Sequence, residues 1–338
     1  RLKGYVNGVQ KTFDAYPAED MDTMYNKSGR SQYIGWRGYT TGYLDDYLAE
    51  VYWIDGTQYA ASDFGEYDED SPRIWKPKDS SGLTFGTNGY YLDFEDSSAL
   101  GNDAAGSNNL TVTNLAAVDQ CVDTPTNSFA VLNPLSNYYY SSAFSEGNTK
   151  LTSHASNYGW STSTFAVSKG KWYVEVKDVS GASHTLGIVD RAPTANQQDL
   201  SAQSFSSQYG VNGKAYINGS EDSSYDTFAN DDILGIALDL DNNRLYYSKN
   251  GTWQGSSDPA NGTNPLTITT ASSTQNGVYF IAVGDSGTSG NPVSDVNFGN
   301  PPFTISSSNA DGNGYGSFEY APPSGFLALC TKNLAEEG

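Results

Sequence analysis

Asp231 to Gly251 reads DDILGIALDLDNNRLYYSKNG, and this run restricts the fold more tightly than any other part of the chain. Leu234, Ile236, Leu238 and Leu240 alternate with Gly235, Ala237, Asp239 and Asp241, the period-2 pattern of a strand that buries one face. Asn242-Asn243 follows, a pair that tolerates the positive φ of a two-residue type I′ turn, and RLYYSKNG returns as the second strand. A hairpin that ends in a further turn is predicted.

Two more stretches have the same character: KGKWYVEV (Lys169 to Val176) and HTLGIVD (His184 to Asp190). Gly 35 and Tyr 25, with Ser, Thr, Asn and Asp throughout, suit many short strands joined by tight turns, so the expected class is all-β. Taken in order, GKWYVEV, LGI, Tyr209-Gly210 and DDILGIALDLDNNRLYYSKNG resemble the signature strands of a SPRY domain. That resemblance implies a β-sandwich that binds a partner and has no catalytic centre.

The chain is long enough, at 338 residues, for two domains. RLKGYVNGVQKTF opens as a hairpin over Asn7-Gly8, followed by expected strands in SQYIGWRG (Ser31 to Gly38) and GYLDDYLAEVYWIDG (Gly42 to Gly56). KGYVNGVQ, YIGW and GYLDDYLAEVYWIDG resemble the last third of a concanavalin-like or laminin-G-like jelly roll, over roughly Arg1 to Asp63. The first half of such a sandwich has no counterpart here, and a few strands alone would leave open edges and an uncovered apolar face. A processed or truncated start at Arg1, or a neighbouring chain that completes the sandwich, is therefore expected.

Ser62 to Leu115 is a polar, Gly-rich connector with embedded aromatics. Its succession of FGEYDE, WKPK, GTNGYYLDF and DSSALGNDAAGSNN resembles connectors in tail-fibre and other virion proteins of bacterial viruses, where they link a laminin-G-like domain to a SPRY-like one. VDTPTNSFAVLNPL (Val122 to Leu135) and YAPPSGFLALCTKNL (Tyr320 to Leu334) belong to the same pattern. The expected architecture is two β-sandwich, jelly-roll-like modules, the first incomplete and the second SPRY-like: 1–63 for the partial sandwich, 64–117 for an ordered connector, 118–334 for the SPRY-like domain, and 335–338 for a tail.

Formal net charge is −21 with only 18 Lys+Arg. Such a field repels nucleic acid and anionic membrane faces. It serves colloidal solubility in a salty or extracellular setting, or else binding of divalent cations. Asp239 and Asp241 are the candidate calcium ligands, though the same residues are explained as turn residues of the hairpin. No apolar run reaches spanning length, so no membrane insertion is expected. Cys121 and Cys330 would either clasp the termini of the second domain in a disulfide or stand as two buried thiols. Sequons at Asn26, Asn109, Asn218, Asn250 and Asn261 are what chance provides in so Asn/Ser/Thr-rich a chain.

Catalytic signals are sparse. A glycosidase on a concanavalin-like sandwich needs paired carboxylates spaced as Glu-x-Asp-x-x-Glu; Glu66 to Ser71 ends in Ser, and the acids of Glu175 to Asp178 and Glu50 to Asp55 have the wrong spacing. His154 and His184 are the only histidines, too few for a His-based metal site or a ready Ser-His-Asp triad, and His184 reads as an edge or loop residue. No enzyme is expected.

The SPRY resemblance places the recognition surface on loops near Arg191 to Tyr209, Asn218 to Phe228 and Lys249 to Asn264. Their Ser, Asn, Gln, Asp and Tyr suit hydrogen bonding to sugar hydroxyls while a ring stacks on the sugar. Trp253, Tyr209 and Tyr225 are the candidate rings, with a core-lid role as the alternative for Trp253. Tyr138 to Tyr140 reads as a strand edge or a subunit contact, and Trp172 as core. The function these resemblances imply is a non-enzymatic virion component, a tail-fibre or surface-appendage protein that binds a host glycan or protein and other virion proteins as a homo-oligomer. The alternatives are an architectural capsid decoration and a secreted cellular lectin.

Overall fold

The computed structural model describes residues 3–15, 29–36, 42–44, 48–68, 75–120, 123–124, 126–136, 142–155, 157–194, 199–287 and 290–338. The chain divides into two compact units, Arg1–Gln120 with Thr124–Thr126, and Cys121–Asp123 with Asn127–Gly338.

In the first unit, β1 (Gly4–Val6) and β2 (Val9–Lys11) form the hairpin read from the sequence. Asn7 and Gly8 both have positive φ, 49° and 74°, as a type I′ turn requires. Then come β3 (Val51–Trp53), β4 (Gly65–Tyr67), β5 (Trp75–Pro77) and β6 (Tyr90–Leu92); β3 pairs with β6, and β4 with β5. Tyr52 and Tyr91 lie opposite each other on β3 and β6 and stack at 4.6 Å, with Phe64 and Phe85 against Tyr52. Among the described residues of the strand expected across Gly42 to Gly56, β3 is the stretch that forms, and Glu50 takes a φ of 54° that breaks the extension just upstream. Among the described residues, no sheet of this unit has more than two strands.

The second unit is a sandwich. Its strands are β7 (Ala143–Ser145), β8 (Lys150–Thr152), β9 (Trp160–Val167), β10 (Lys171–Ser180), β11 (His184–Val189), β12 (Ser206–Gly210), β13 (Lys214–Ile217) and β14 (Ser220–Ser224). There follow β15 (Ile233–Asp239), β16 (Arg244–Lys249), β17 (Thr252–Trp253), β18 (Leu266–Thr267), β19 (Tyr279–Asp285), β20 (Val293–Asn297), β21 (Leu327–Ala328) and a closing helix α1 (Thr331–Glu337). One sheet runs β17-β16-β15-β10-β20-β8-β7, with β18 beside β16 and β21 parallel to the start of β10. The other runs β14-β13-β12-β11-β19-β9.

The register explains the core. Trp172, Val174 and Val176 of β10 oppose Leu238, Ile236 and Leu234 of β15, and this face joins Leu186 and Ile188 of the second sheet in one buried cluster. Trp172 is 1% exposed, as the KWYVEV pattern predicts.

Two features differ from the sequence reading. Asp239 opposes Arg244, so the β15–β16 connection has four residues, and of Asn242-Asn243 only Asn243 has a positive φ, 56°. The two-residue type I′ turn lies at the other end of β16, at Asn250-Gly251, with φ 47° and 76°. The strands β10 and β15 are also buried on both faces. The residues facing away from the second sheet are covered by the segment from Asn309 to Ala328, with Phe318 edge-on to Tyr173 at 5.2 Å and Phe326 edge-on to Tyr246 at 6.5 Å.

Two buried carboxylates hold that strap. Glu175, fully buried, accepts from the backbone N–H of Tyr320 at 2.8 Å and of Glu319 at 3.0 Å, from Asn297 Nδ2 at 3.0 Å and from the Tyr173 hydroxyl at 3.1 Å. Asp311 accepts from the N–H groups of Ala328, Asn313 and Tyr315 and from Asn333 Nδ2. Burial raises the Glu175 pKa, and the four donors oppose that shift.

Candidate functional site

At one end of the second sheet, where β11 stops and β12 and β19 start, the described residues of three segments meet: 190–194 with 199–206, Asn218-Gly219 and 268–278. Asp190, fully buried, ties the first segment to the third. Its Oδ2 accepts from the Gln275 N–H at 3.0 Å, its carbonyl accepts from Asn276 Nδ2 at 2.9 Å, and its Oδ1 lies 3.1 Å from Arg191 Nε. Arg191 also donates through Nη1 to Gln275 Oε1, and its Nη2 lies 3.5 Å from the Ser204 carbonyl. Asn218, with a φ of 50°, accepts from the Ser206 N–H at 3.2 Å and donates to Thr269 Oγ1 at 3.1 Å. Asp199 caps the turn at Leu200–Ala202, whose Leu200 packs with Trp160, Val189 and Ala282. Burial pushes the Asp199 carboxyl up despite its bonds to Ser201.

The result is a polar surface, pre-organised from below, without a nucleophile and base in contact. Such an end can recognise through amide, hydroxyl and guanidinium groups.

The sequence-derived candidates do not gather here. Tyr209 is fully buried between the sheets, edge-on to Tyr225 at 5.5 Å and Phe228 at 5.1 Å, with its hydroxyl donated to the Asp226 carbonyl, so it offers no face to a ligand. Tyr225 is half-buried against it. Trp253 is half-buried and folds back towards Tyr173, ring centroids 6.4 Å apart, which is the lid role. The segments around Tyr225 and Trp253 touch through Gln254, whose Oε1 accepts from the Asp226 N–H at 2.9 Å, yet their rings turn to different partners. The loop from Ile268 to Val278, absent from the sequence reading, carries no aromatic signal; strand order alone brings it to Arg191.

Asp239 and Asp241 do not converge on a cation site. Asp239, 1% exposed, accepts from Asn242 and lies 3.6 Å from Lys171 Nζ, while Asp241 accepts from the Gly170 N–H at 2.8 Å. Among the described residues, no three His, Cys, Asp or Glu side chains are grouped to hold a metal ion. Cys330 is fully buried as a thiol, with its pKa raised by that burial; Cys121 lies outside the described residues, and so does any pairing between the two. Tyr138 to Tyr140 also lies outside them, as do residues 195–198 of the first recognition segment and the sequon at Asn26. The side chains of Asn109, Asn218, Asn250 and Asn261 are all engaged in hydrogen bonds of turns.

His184 is not the edge or loop residue the sequence suggests. It begins β11, 3% exposed, with Nε2 2.7 Å from Asp178 Oδ1 and Nδ1 3.2 Å from Ser294 Oγ. These are the residue types of a hydrolytic triad, but Ser294 and Asp178 are buried too, at 3% and 2% exposed. The group is sealed between the sheets and ties them together. An open trough of about 800 Å³ lies in the first unit, lined by Lys3, Tyr5, Tyr59, Phe64 and Trp75 among others. Part of its wall is committed: Gly8 lies directly against the Trp75 ring, and the Tyr59 hydroxyl accepts from the Thr84 N–H at 3.0 Å.

Residues 169–285, which run from the start of KGKWYVEV to the end of β19, match the SPRY domain family. This stretch is a SPRY domain. In solved structures the chain is similar to the SPRY domain of human HERC1, at 15% identity, covering 49% of this chain and 96% of that one, with a TM-score of 0.40. It is also similar to a human SPRY domain at 17% identity, covering 46% of this chain and 93% of that one, with a TM-score of 0.34. No curated protein matches the chain. SPRY domains are protein-interaction modules and generally non-catalytic. All three segments that meet around Asp190 lie inside the SPRY domain. Among the described residues, no helix is long and apolar enough to cross a membrane.

Proposed function

We propose that the protein is a non-enzymatic binding protein whose SPRY domain docks a partner protein with the end formed by the described residues 190–194, 199–206, 218–219 and 268–278. The observation that carries this reading is Asp190: a fully buried residue whose carboxylate and backbone carbonyl hold the 268–278 loop and the Arg191 guanidinium in one arrangement. Loops pinned from below lose little conformational entropy on binding, which favours recognition by a preformed surface. A protein partner is favoured over a glycan because the candidate stacking rings are turned inward or apart.

A photo-reactive residue placed at Thr194, on this end, forms a covalent adduct with the partner when the protein is irradiated in its source culture. The same residue at Lys332, on α1, forms none. Adducts of equal yield from both positions would overturn the assignment of the docking end.

The finer reading places this binding protein on a bacterial virus, as a tail-fibre or surface appendage, and rests on the resemblance of the Ser62 to Leu115 connector. Gold-antibody labelling of particles from the source culture tests it. Label on fibres or appendages supports host recognition, label over the capsid supports an architectural role, and unlabelled particles remove the virion reading.

A further inference from the structure

Among the described residues of its three segments, the docking end contains a single cation. Across the described residues 190–194, 199–206, 218–219 and 268–278 the charged residues are Asp190, Asp199 and Arg191. Asp190 is fully buried, and Asp199 is held by Ser201 and pushed towards its neutral form by burial. The Arg191 side chain keeps about a quarter of its surface, 24%, exposed. Arg191 is thus the one cation of these segments in a chain of net charge −21, while Lys169, exposed on the turn after β9, lies at the same end of the sheet.

The guanidinium is also aimed. Nε faces Asp190 at 3.1 Å, Nη1 donates to Gln275 and Nη2 approaches Ser204. Of its five N–H groups, about two, one on each terminal nitrogen, are left for a ligand. A fork held this way has already lost much of its rotamer freedom and keeps an N–H group on each terminal nitrogen, the donor set from which a carboxylate is bound bidentately.

Resting on the docking reading above, we propose that Arg191 is the specificity-determining contact of this end, reading one Asp or Glu side chain of an otherwise weakly charged partner segment. The net charge narrows the choice: a densely acidic partner is repelled by the whole molecule, whereas a single carboxylate at the right place is rewarded. A phosphoryl group, with a charge of about −1.5 to −2, is under-compensated by one arginine already shared with Asp190.

The test is selection of random dodecapeptides on the full chain, keeping those whose binding is lost in Thr194→Trp, a bulky block on an exposed neighbour of Arg191. The expected result is convergence on one acidic position. Replacing that residue by its amide weakens binding to the wild type about tenfold or more, and Arg191→Met abolishes the difference between acid and amide peptides. Thermal melting of Arg191→Met checks its fold; should it unfold, Arg191→Lys, which keeps the charge and loses the fork, gives an intermediate acid-to-amide ratio. Peptides sensitive to Thr194→Trp but lacking an acidic position, or an acid-to-amide ratio unchanged in Arg191→Met, overturn the role of Arg191 and leave the docking reading standing. A phosphoserine peptide bound more tightly than its acidic counterpart likewise overturns the carboxylate assignment. If no peptide is sensitive to Thr194→Trp, both readings fall.

Discussion

Asp285 ends β19 inside the sandwich, where burial pushes its carboxyl up to about 7 against the opposing pull of the Gly287 N–H and of His184. The groups facing it are His184, its cross-strand partner, the Asp178 and Ser294 side chains that bind that imidazole, and Asp199, whose charge adds to the upward shift. The folded state therefore holds a proton that the unfolded chain, with an ordinary value near 3.9, releases. Its stabilising contribution is full below about pH 4 and is lost as pH rises to about 7. Urea unfolding is expected to show stability falling between about pH 4 and pH 7, by up to a few kcal/mol at about 1.4 kcal/mol per unit, with Asp285→Asn flattening that slope; equal slopes in the two proteins would remove Asp285 as the source. A second prediction concerns Glu175, whose four donors would be stranded by Glu175→Ala, at a cost of about 3 kcal/mol in unfolding free energy, with Glu175→Gln less severe because it keeps one acceptor oxygen. Neither role was legible in the sequence. Acidic residues in a chain of this charge read as solvated surface, and burial of Glu175 or Asp285 depends on segments more than a hundred residues away.

Strands were legible where alternation was clean, as in β10, β11, β15 and β16, because a one-sided or two-sided core leaves its period in the apolar residues. Turns were legible where local chemistry is sufficient, as at Asn7-Gly8. The β15–β16 connection was misread because Leu240 and Asp241 leave the ladder earlier than the alternation suggests, and Asp239 turns to hold Asn242 instead of extending the strand. The true type I′ turn, Asn250-Gly251, is pressed by the strap: a Cβ on Gly251 would lie 2.5 Å from Tyr320 Cδ1, at a φ of 76°. Gly251→Ala is therefore expected to cost about 1–3 kcal/mol, more than an alanine at an open glycine such as Gly277 with its similar φ of 73°; chemical denaturation of the two variants measures the difference. The docking end was half legible. The segment from Arg191 onwards follows a recognisable strand, but its partner loop from Ile268 to Val278 arrives only through the order β12-β11-β19, and long-range pairing leaves no local mark.

At the scale of the molecule, the stretch that matches the SPRY family is less than the folding unit. β9 pairs with β19, β20 and β21 pair with β10, and the strap covers Tyr173 and Tyr246, all from residues outside 169–285. A fragment of residues 169–285 is expected to lack a cooperative thermal transition, while residues 121–338 melt in one step; calorimetry on the two fragments decides. The strap also sets an order of events during synthesis. Residues 309–328 leave the ribosome after every strand they cover, and at about 5–20 residues per second the nascent sheet waits roughly seconds with Tyr173, Tyr246 and the Glu175 carboxylate uncovered. For that interval the growing chain presents an apolar, unfinished surface to its neighbours, so crowding of many copies on one messenger would be felt first there.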